Sequence, residues 1–291
     1  MIDQDSAILS IDAGGTFFKY ALFSNEGVQL CDIGKIPVNS KGTSEEVFHS
    51  YENVFSAAKS ICKLCGVGVS TPGPFDYANG ISLMEHKFEA IYRLPLKDKL
   101  IKILGENIPF WFCSDSNAFL MGAIRDTNYQ KHNCIGITIG TGLGFSATEK
   151  GKILTNPQGG PVDRLFCSPC RDGILEDYIS GKGIVRLYRE LGGSNTFADA
   201  KAIGEACKVD PIATQTYREA GVLLARGLMP MVEKYRAEVV LLGGQVSKSF
   251  ELMEDGMKTI LPNSILIEKA KQIDLAPLQG VLDFDPRRIM T

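Results

Sequence analysis

Two aspartates stand where runs of β-forming residues stop. AILSID, residues 7 to 12, ends in Asp12, and IPFWFCSDSNA, residues 108 to 118, carries Asp115 at the end of its apolar part. Asp12 is followed by Gly14, Gly15 and Thr16 and then by FFKYALFS, so this stretch predicts a strand, a glycine corner and a second strand. CIGITIGTGLGFSATEKGK, residues 134 to 152, repeats that order, with Gly140, Thr141 and Gly142 at the corner and a turn at Lys150 and Gly151. A third glycine pair, Gly243 and Gly244, closes the apolar run EVVLLGG. Glycine lets backbone N–H groups approach an anion closely because no Cβ blocks the way, and Thr16 and Thr141 would add hydroxyl donors. Phosphate binding is the chemistry these corners suggest when taken together, whereas any one alone reads more readily as a hairpin turn. Asp12 suits a magnesium ion, held directly or through water. Asp115 would accept the proton of a hydroxyl attacking bound ATP, or else cap a helix that begins near Asn117.

The phosphate-binding arrangement is of neither common type. No GxxxxGK[ST] occurs, and no GxGxxG opens a helix. The chain has 291 residues, 44% of them hydrophobic and 22% charged, which is ordinary for a globular protein of one large domain or two smaller ones. A net charge of −3 without any basic run excludes an electrostatic footprint for nucleic acid. The first residues lack a basic region, and no window is long and apolar enough to span a bilayer. The expectation is therefore a cytoplasmic protein with no membrane partner, whose eight cysteines stay reduced.

The elements between the corners are also legible. Thr43 and Glu46 form a capping-box pattern, and Val47, Tyr51, Val54, Ala58, Ile61 and Cys65 recur at helical spacing, which predicts a helix over 43–65 with Cys65 on its buried stripe. GVGVSTPGP, residues 66 to 74, reads as a strand running into a turn. Three helical segments are expected after residue 176, the longest over roughly 210–236, then the strand at 238–244 and a short helix. The two corners imply a duplicated architecture with a cleft, and no flexible linker separates the halves. GPVDRLFCSPCRDGILE, residues 160 to 176, holds Cys167 and Cys170 three apart in a Gly- and Pro-rich loop. A redox or metal-sensing role for this pair would need a second set of ligands or a thioredoxin-like setting.

These stretches together resemble the ROK family (repressor, open reading frame, kinase) of the actin-like ATPase superfamily. LSIDAGGTFFKYALF resembles its first phosphate motif, GVSTPGP its following strand and turn, and CSDSNAFLMGA its aspartate segment. ITIGTGLGFSATEKGKI resembles the second phosphate motif and VVLLGGQVS the adenosine motif, all in family order, with a final helix at LQGVLDF, residues 278 to 284. The resemblance implies an α/β protein of the duplicated actin-like, ribonuclease H-like ATPase fold, with two α/β domains and an interdomain cleft. Residues 1–117 would form the first domain, joined by a C-terminal helix over 278–291, and residues 118–277 the second. The implied activity is ATP-dependent phosphorylation of a sugar, with Mg²⁺, in a homodimer.

On that resemblance Asp115 is the catalytic base. Gly14, Gly15, Thr16, Lys19, Thr141, Gly142, Gly243 and Gly244 hold ATP, although alternation would equally turn Lys19 to solvent. Ser114, Asp115, Glu176 and His86 contact the sugar, and Asp12 holds Mg²⁺. ROK repressors place a helix-turn-helix ahead of the first motif; here that motif starts at residue 8, so a repressor is not expected. A non-catalytic sugar sensor of the same fold is the alternative.

The sugar loop departs from the family pattern. Family members with zinc carry a histidine, then CxCGxxGC followed by LE; here Arg164 falls at the histidine, CSPC replaces CxC, and Ile174 stands at the third cysteine. Too few ligands survive for a four-coordinate site, so the expectation is no zinc and a loop held by packing around Leu165, Phe166 and Leu175. Glu176 matches a glutamate that bonds sugar hydroxyls, and its bland alternative is a first-turn acid favoured by a helix dipole. The family's other glutamate maps to Pro161, and an asparagine before the catalytic aspartate is Ser114. Glu85, His86 and Lys87 are the replacements that SLMEHKFEAIYRLPL, residues 82 to 96, offers.

Overall fold

The computed structural model describes residues 6 to 85 and 87 to 289. The chain divides into two compact units. One comprises the chain up to Gly122, Thr155–Gly160 and the stretch from Asp274 onward; the other comprises Ala123–Leu154 and Pro161–Ile273.

The first unit contains β1 (Ser6–Ala13), β2 (Phe17–Phe23), β3 (Gly34–Pro37), α1 (Ser44–Lys59) and β4 (Lys63–Thr71). The two-residue strands β5 (Phe75–Asp76) and β6 (Ile81–Ser82), α2 (Leu96–Leu104), β7 (Phe110–Ser114) and α3 (Asp115–Ile124) follow. Its main sheet has the order β3-β2-β1-β4-β7. β1 is the middle strand because SAILSIDA buries every residue except Asp12, which is half-buried, as a strand covered on both faces must. Ala7, Leu9, Ile11 and Ala13 face α1 and α2 through Val47, Tyr51, Val54 and Leu100. Ile8 faces the other way, against Trp111, Ala118, Leu278 and Val281. Ser10, on that second face, donates its hydroxyl to the Leu278 carbonyl at 2.7 Å. Asp12 follows two residues later and therefore looks out on the same face.

The helix expected over 43–65 is shorter. Thr43 caps it with the full reciprocal capping box to Glu46, but it ends at Lys59. Ile61, which the helical spacing enlisted, is 55% exposed. Cys65 lies in β4, where the pairing with β1 passes from Ala7–Leu64 to Ile8–Gly66 and leaves Cys65 as the extra residue of a β-bulge. The apparent stripe continued across a turn by coincidence of spacing.

The second unit contains β8 (Cys134–Ile139), β9 (Leu143–Glu149), β10 (Lys152–Ile153), a small hairpin of β11 (Pro169–Cys170) and β12 (Gly173–Ile174), and α4 (Gly181–Glu190). It continues with α5 (Ala200–Ala206), α6 (Pro211–Tyr235), β13 (Val239–Gly243), α7 (Glu254–Lys258) and β14 (Leu266–Lys269). α6 starts where Asp210 accepts from the Ile212 and Ala213 N–H groups and Pro211 takes the first turn, whose missing donor costs nothing there. The sheet order is β10-β9-β8-β13-β14, which repeats the first sheet position for position: a hairpin, then two parallel strands added beyond the first strand. The duplication suggested by the glycine corners is thus present in the strand order.

The chain then returns to the first unit as α8 (Ala276–Gly280), a 3₁₀ turn at Val281–Phe284 and α9 (Pro286–Ile289). The helix expected over 278–284 is accordingly split between an α-turn and a 3₁₀ turn. α8 crosses α3 with no side chain between them. A Cβ on Gly280 would lie 1.7 Å from the Ala118 carbonyl oxygen, and one on Gly122 would lie 1.8 Å from that of Ala276. Among the described residues no helix is long and apolar enough to cross a membrane.

Candidate active site

The first glycine corner closes at the end of β1, where the Gly14 N–H donates to the Asp12 carbonyl at 3.0 Å. A Cβ on Gly14 would meet the Phe17 carbonyl oxygen at 2.9 Å, so the turn itself requires glycine there. Thr16 is exposed, with its hydroxyl available to a ligand. The register sets Asp12 between Lys19 of β2 and Ser70 of β4. Ser70 donates to Asp12 Oδ1 at 3.2 Å, and Lys19 Nζ donates to Asp274 Oδ1 at 2.7 Å. Lys19 is thus half-buried in a charged group and does not project freely into solvent. Burial is the main force pushing the Asp12 carboxyl up to about 6, with the negative charge of Asp115 adding to it and Lys19 and Ser70 opposing it.

Asp115 opens α3 directly after β7. Its Oδ1 accepts from the Ser116 N–H at 2.7 Å and from the Ser114 hydroxyl at 3.4 Å. The Ser114 and Ser116 hydroxyls lie 3.0 Å apart. Burial raises the Asp115 carboxyl, opposed by the Ser116 N–H and by the charge of Lys87. A carboxylate so placed is partly stripped of water and held at one oxygen, which suits it to take a proton at the other.

Three neighbours lay outside the expected set. Tyr77 is buried, donates its hydroxyl to the Thr71 carbonyl at 3.1 Å, and packs its ring on Gly159 and Gly160. Burial and then the Asp115 charge hold that hydroxyl far above the ordinary tyrosine value. Asn117 is fully buried, and neither atom of its amide has a partner among the described residues. An amide two residues beyond the aspartate in an otherwise apolar helix was the signal for it. Asp274 comes from a distant segment, and no local pattern marks it; Lys87, one of the replacements offered by residues 82 to 96, acts on Asp115 through its charge. His86 lies outside the described residues.

The second corner is tightened by the Gly140 N–H donating to the Gly142 carbonyl at 3.0 Å. The Gly181 N–H at the start of α4 donates to the Gly140 carbonyl at 2.8 Å. A Cβ on Gly140 would meet nothing within 4 Å, so packing does not require glycine there and the space beside the backbone is open to a ligand. Thr141 is exposed. Gly243 pairs with Thr138, and Gly244, at a φ of +84°, brings its backbone so near the end of β8 that a Cβ would sit 2.4 Å from the Ile139 carbonyl oxygen. The second and third glycine groups therefore adjoin within one unit. Glu176 joins them: its Oε2 accepts from the Leu143 N–H at 2.7 Å and lies over Gly142.

The loop of residues 160–178 is held differently from the sequence expectation. Leu165 and Leu175 are buried, but Phe166 is 38% exposed. Cys170 faces the apolar core, while the exposed Cys167 donates to the Arg164 carbonyl at 3.2 Å. Charges supply the remaining anchors. Arg171 reaches Glu190 at 3.1 Å and Glu219 at 2.8 Å, and Arg186 reaches Asp172 at 2.8 Å and Glu190 at 2.7 Å. Both guanidinium groups lie over the Tyr178 ring, 5.3 and 4.4 Å from its centroid, and the Tyr178 hydroxyl bonds Asp172. Among the described residues no three His, Cys, Asp or Glu side chains cluster closely enough to hold a metal by themselves. Asp12 with the Ser70 hydroxyl fits Mg²⁺, an ion that keeps most of its waters and takes only one or two carboxylates.

Known proteins similar to this chain include sugar kinases. A glucokinase of Thermotoga maritima is 26% identical over 273 residues, covering 84% of each chain. An N-acetylmannosamine kinase of Escherichia coli O157:H7 is 27% identical over 251 residues, covering 82% of each. The crystal structure of a ROK family glucokinase from Streptomyces griseus, in complex with glucose and AMPPNP, matches with a TM-score of 0.79 at 24% identity, covering 97% of this chain and 100% of that one. At that identity the likeness speaks for the fold, which is that of the actin-like ATPases. The ROK family model matches residues 8–282, and with two sheets of the same strand order each turning at a glycine corner, the chain belongs to the ROK family.

Proposed function

We propose that this chain is an ATP-dependent carbohydrate kinase that transfers the γ-phosphoryl group to a hydroxyl of a hexose or hexose derivative. The observation that carries the reading is Asp115, a half-buried carboxylate fixed at one oxygen by the Ser116 N–H, at the end of a strand that neighbours the one bearing Ser70 and Thr71. Its raised proton affinity suits a base that must take a hydroxyl proton near neutral pH. The Tyr77 hydroxyl and the Ser114 hydroxyl flank it and limit where an acceptor hydroxyl can dock.

Phosphoryl transfer makes little covalent demand on a protein, so positioning and charge neutralisation do most of the work. Gly14, Gly15 and Thr16 offer the first corner to phosphate oxygens, with Lys19 nearby. Thr141 and Gly142 offer the second, and Gly243 and Gly244 leave backbone exposed to an adenosine. Asp12 would hold Mg²⁺, which when bound neutralises phosphate charge. Ser114, Glu176 and His86 belong to the sugar contacts on the family resemblance. The same resemblance supports the 6-hydroxyl as acceptor, a homodimer and a cytoplasmic location.

The test is ADP release from ATP and Mg²⁺ across hexoses, amino sugars and glycosides, for the wild type and Asp115→Asn. Sugar-dependent turnover that falls ~10²- to 10⁴-fold in the variant supports the kinase. Sugar binding by calorimetry without turnover on any acceptor would leave the non-catalytic sensor.

A further inference from the structure

Glu176 is the residue whose surroundings depart most from a simple sugar ligand. Its Oε2 accepts from the Leu143 N–H at 2.7 Å, and Leu143 is the first residue of β9, directly after the second glycine corner. The same oxygen would lie 2.6 Å from a Cβ placed on Gly142. The carboxylate thus fills the space that any side chain at residue 142 would need. Glu176 sits in the 3₁₀ turn Leu175–Asp177, whose Leu175 is buried and whose Ile179 and Tyr178 N–H groups donate to the Leu175 carbonyl, so the glutamate is carried on a fixed support.

The corner needs such a partner. It is short, its internal bond runs from the Gly140 N–H to the Gly142 carbonyl, and the Thr141 and Gly142 N–H groups donate to nothing among the described residues. Free donors in a glycine turn form an anion-binding concavity only while the turn keeps its shape. Its entrance is fixed by the pairing of Ile139 with Leu143 and by the Gly181 N–H on the Gly140 carbonyl. Its exit is fixed by Glu176.

We infer that Glu176 is a positioning residue for the nucleotide-phosphate corner Gly140–Gly142, holding it through Leu143 independently of any sugar. The inference rests on the ATP reading above. Charge is not what the contact uses: a carboxylate beside phosphates repels them, whereas its hydrogen-bond acceptance shapes the turn. Glutamine keeps that acceptance and removes the repulsion.

The experiment is calorimetric titration of ADP with Mg²⁺, in the absence of sugar, into wild type, Glu176→Ala, Glu176→Gln and Gly142→Ala. The expected result is a loss of about tenfold or more in ADP affinity for Glu176→Ala, where the Leu143 N–H loses its acceptor, and for Gly142→Ala, where the new methyl displaces it. Glu176→Gln is expected to bind ADP at least as tightly as the wild type. Equal ADP affinity in wild type and Glu176→Ala overturns the inference, as does a Glu176→Gln variant as weak as Glu176→Ala. Should Glu176→Ala not fold, the Gln and Gly142→Ala variants decide by the same criteria. A wild type that binds no ADP would instead overturn the ATP reading, so the two failures are distinguishable.

Discussion

Lys19 donates to Asp274 across 2.7 Å, so a cation from the second strand of the first unit is tied to the segment with which the chain returns to that unit, beside the buried side of Asp12. The pair governs a titration. Asp12, pushed up to about 6, binds more protons folded than unfolded, so its contribution to stability is greatest below the ordinary carboxylate value near 4 and is lost as pH rises through about 6. In protein free of nucleotide and metal, the thermal midpoint of Asp12→Asn is expected to fall less than that of the wild type over that window. Lys19→Met removes a charge that favours the ionised form, so the decline should move to higher pH. A wild-type profile that is flat or rising between pH 4 and 6, with the Asp12→Asn profile parallel to it, would refute the assignment.

Asp115 titrates in the same direction for the same main reason, burial. As a general base it acts only when ionised, so kcat/KM is expected to climb with pH along a limb displaced above the ordinary aspartate range. Lys87→Met, which removes an opposing charge, should displace the limb further upward. A pH–rate profile unmoved by Lys87→Met would separate Lys87 from the base.

Two glycines make opposite predictions. Gly280→Ala drives a methyl into the Ala118 carbonyl and forces α3 and α8 apart, at a cost of about 2 kcal/mol or more in denaturant unfolding. Gly140→Ala meets no protein atom and adopts no left-handed backbone, so stability should stay within about 0.5 kcal/mol of wild type while ADP affinity drops. Equal stability losses in both would mean that the space beside Gly140 is not reserved for a ligand.

Asn117 carries an amide buried without partners. Replacing such a group by an apolar one of like size removes a desolvation cost, so Asn117→Leu is expected to match or exceed wild-type stability, by up to about 1 kcal/mol. A loss above about 2 kcal/mol in chemical denaturation would show that the amide is bonded in solution, through water.

The Arg171 and Arg186 pairs over Tyr178 should govern the loop that carries Glu176. Arg171→Ala is expected to speed amide exchange across residues 173–178. Arg171→Lys should not restore protection, because an ammonium cannot reach two carboxylates as a planar fork while stacked on a ring.

Local chemistry was legible wherever neighbours in sequence are neighbours in space. The capping box of Thr43 and Glu46, the turn at Lys150 and Gly151, and the start of α6 at Asp210 each need only three or four consecutive residues. Both glycine corners could be read for the same reason. Partners brought from afar could not: Asp274 beside Lys19, Tyr77 under Ser114, and Glu219 on Arg171 are set by strand order and helix placement. The bulge at Cys65 misled because a four-residue spacing fits helix and chance equally. Leu266–Lys269 was overlooked as a strand because a four-residue edge carries too few alternations to register. The Phe166 packing failed where charged side chains took over an anchoring task that an apolar reading of the loop assigned to an aromatic.

The return of the chain at Asp274 also bears on synthesis. Leu278, Val281 and Leu282 complete the apolar layer over Ile8, Trp111 and Cys113, and the Trp111 indole N–H donates to the Val281 carbonyl at 3.0 Å. On a ribosome these residues emerge after every strand of both sheets, so the first sheet waits with that face covered only in part, by α3, while the second unit already has all its parts. Until the last residues are made, the half that is synthesised first is therefore the one that keeps apolar surface open to water.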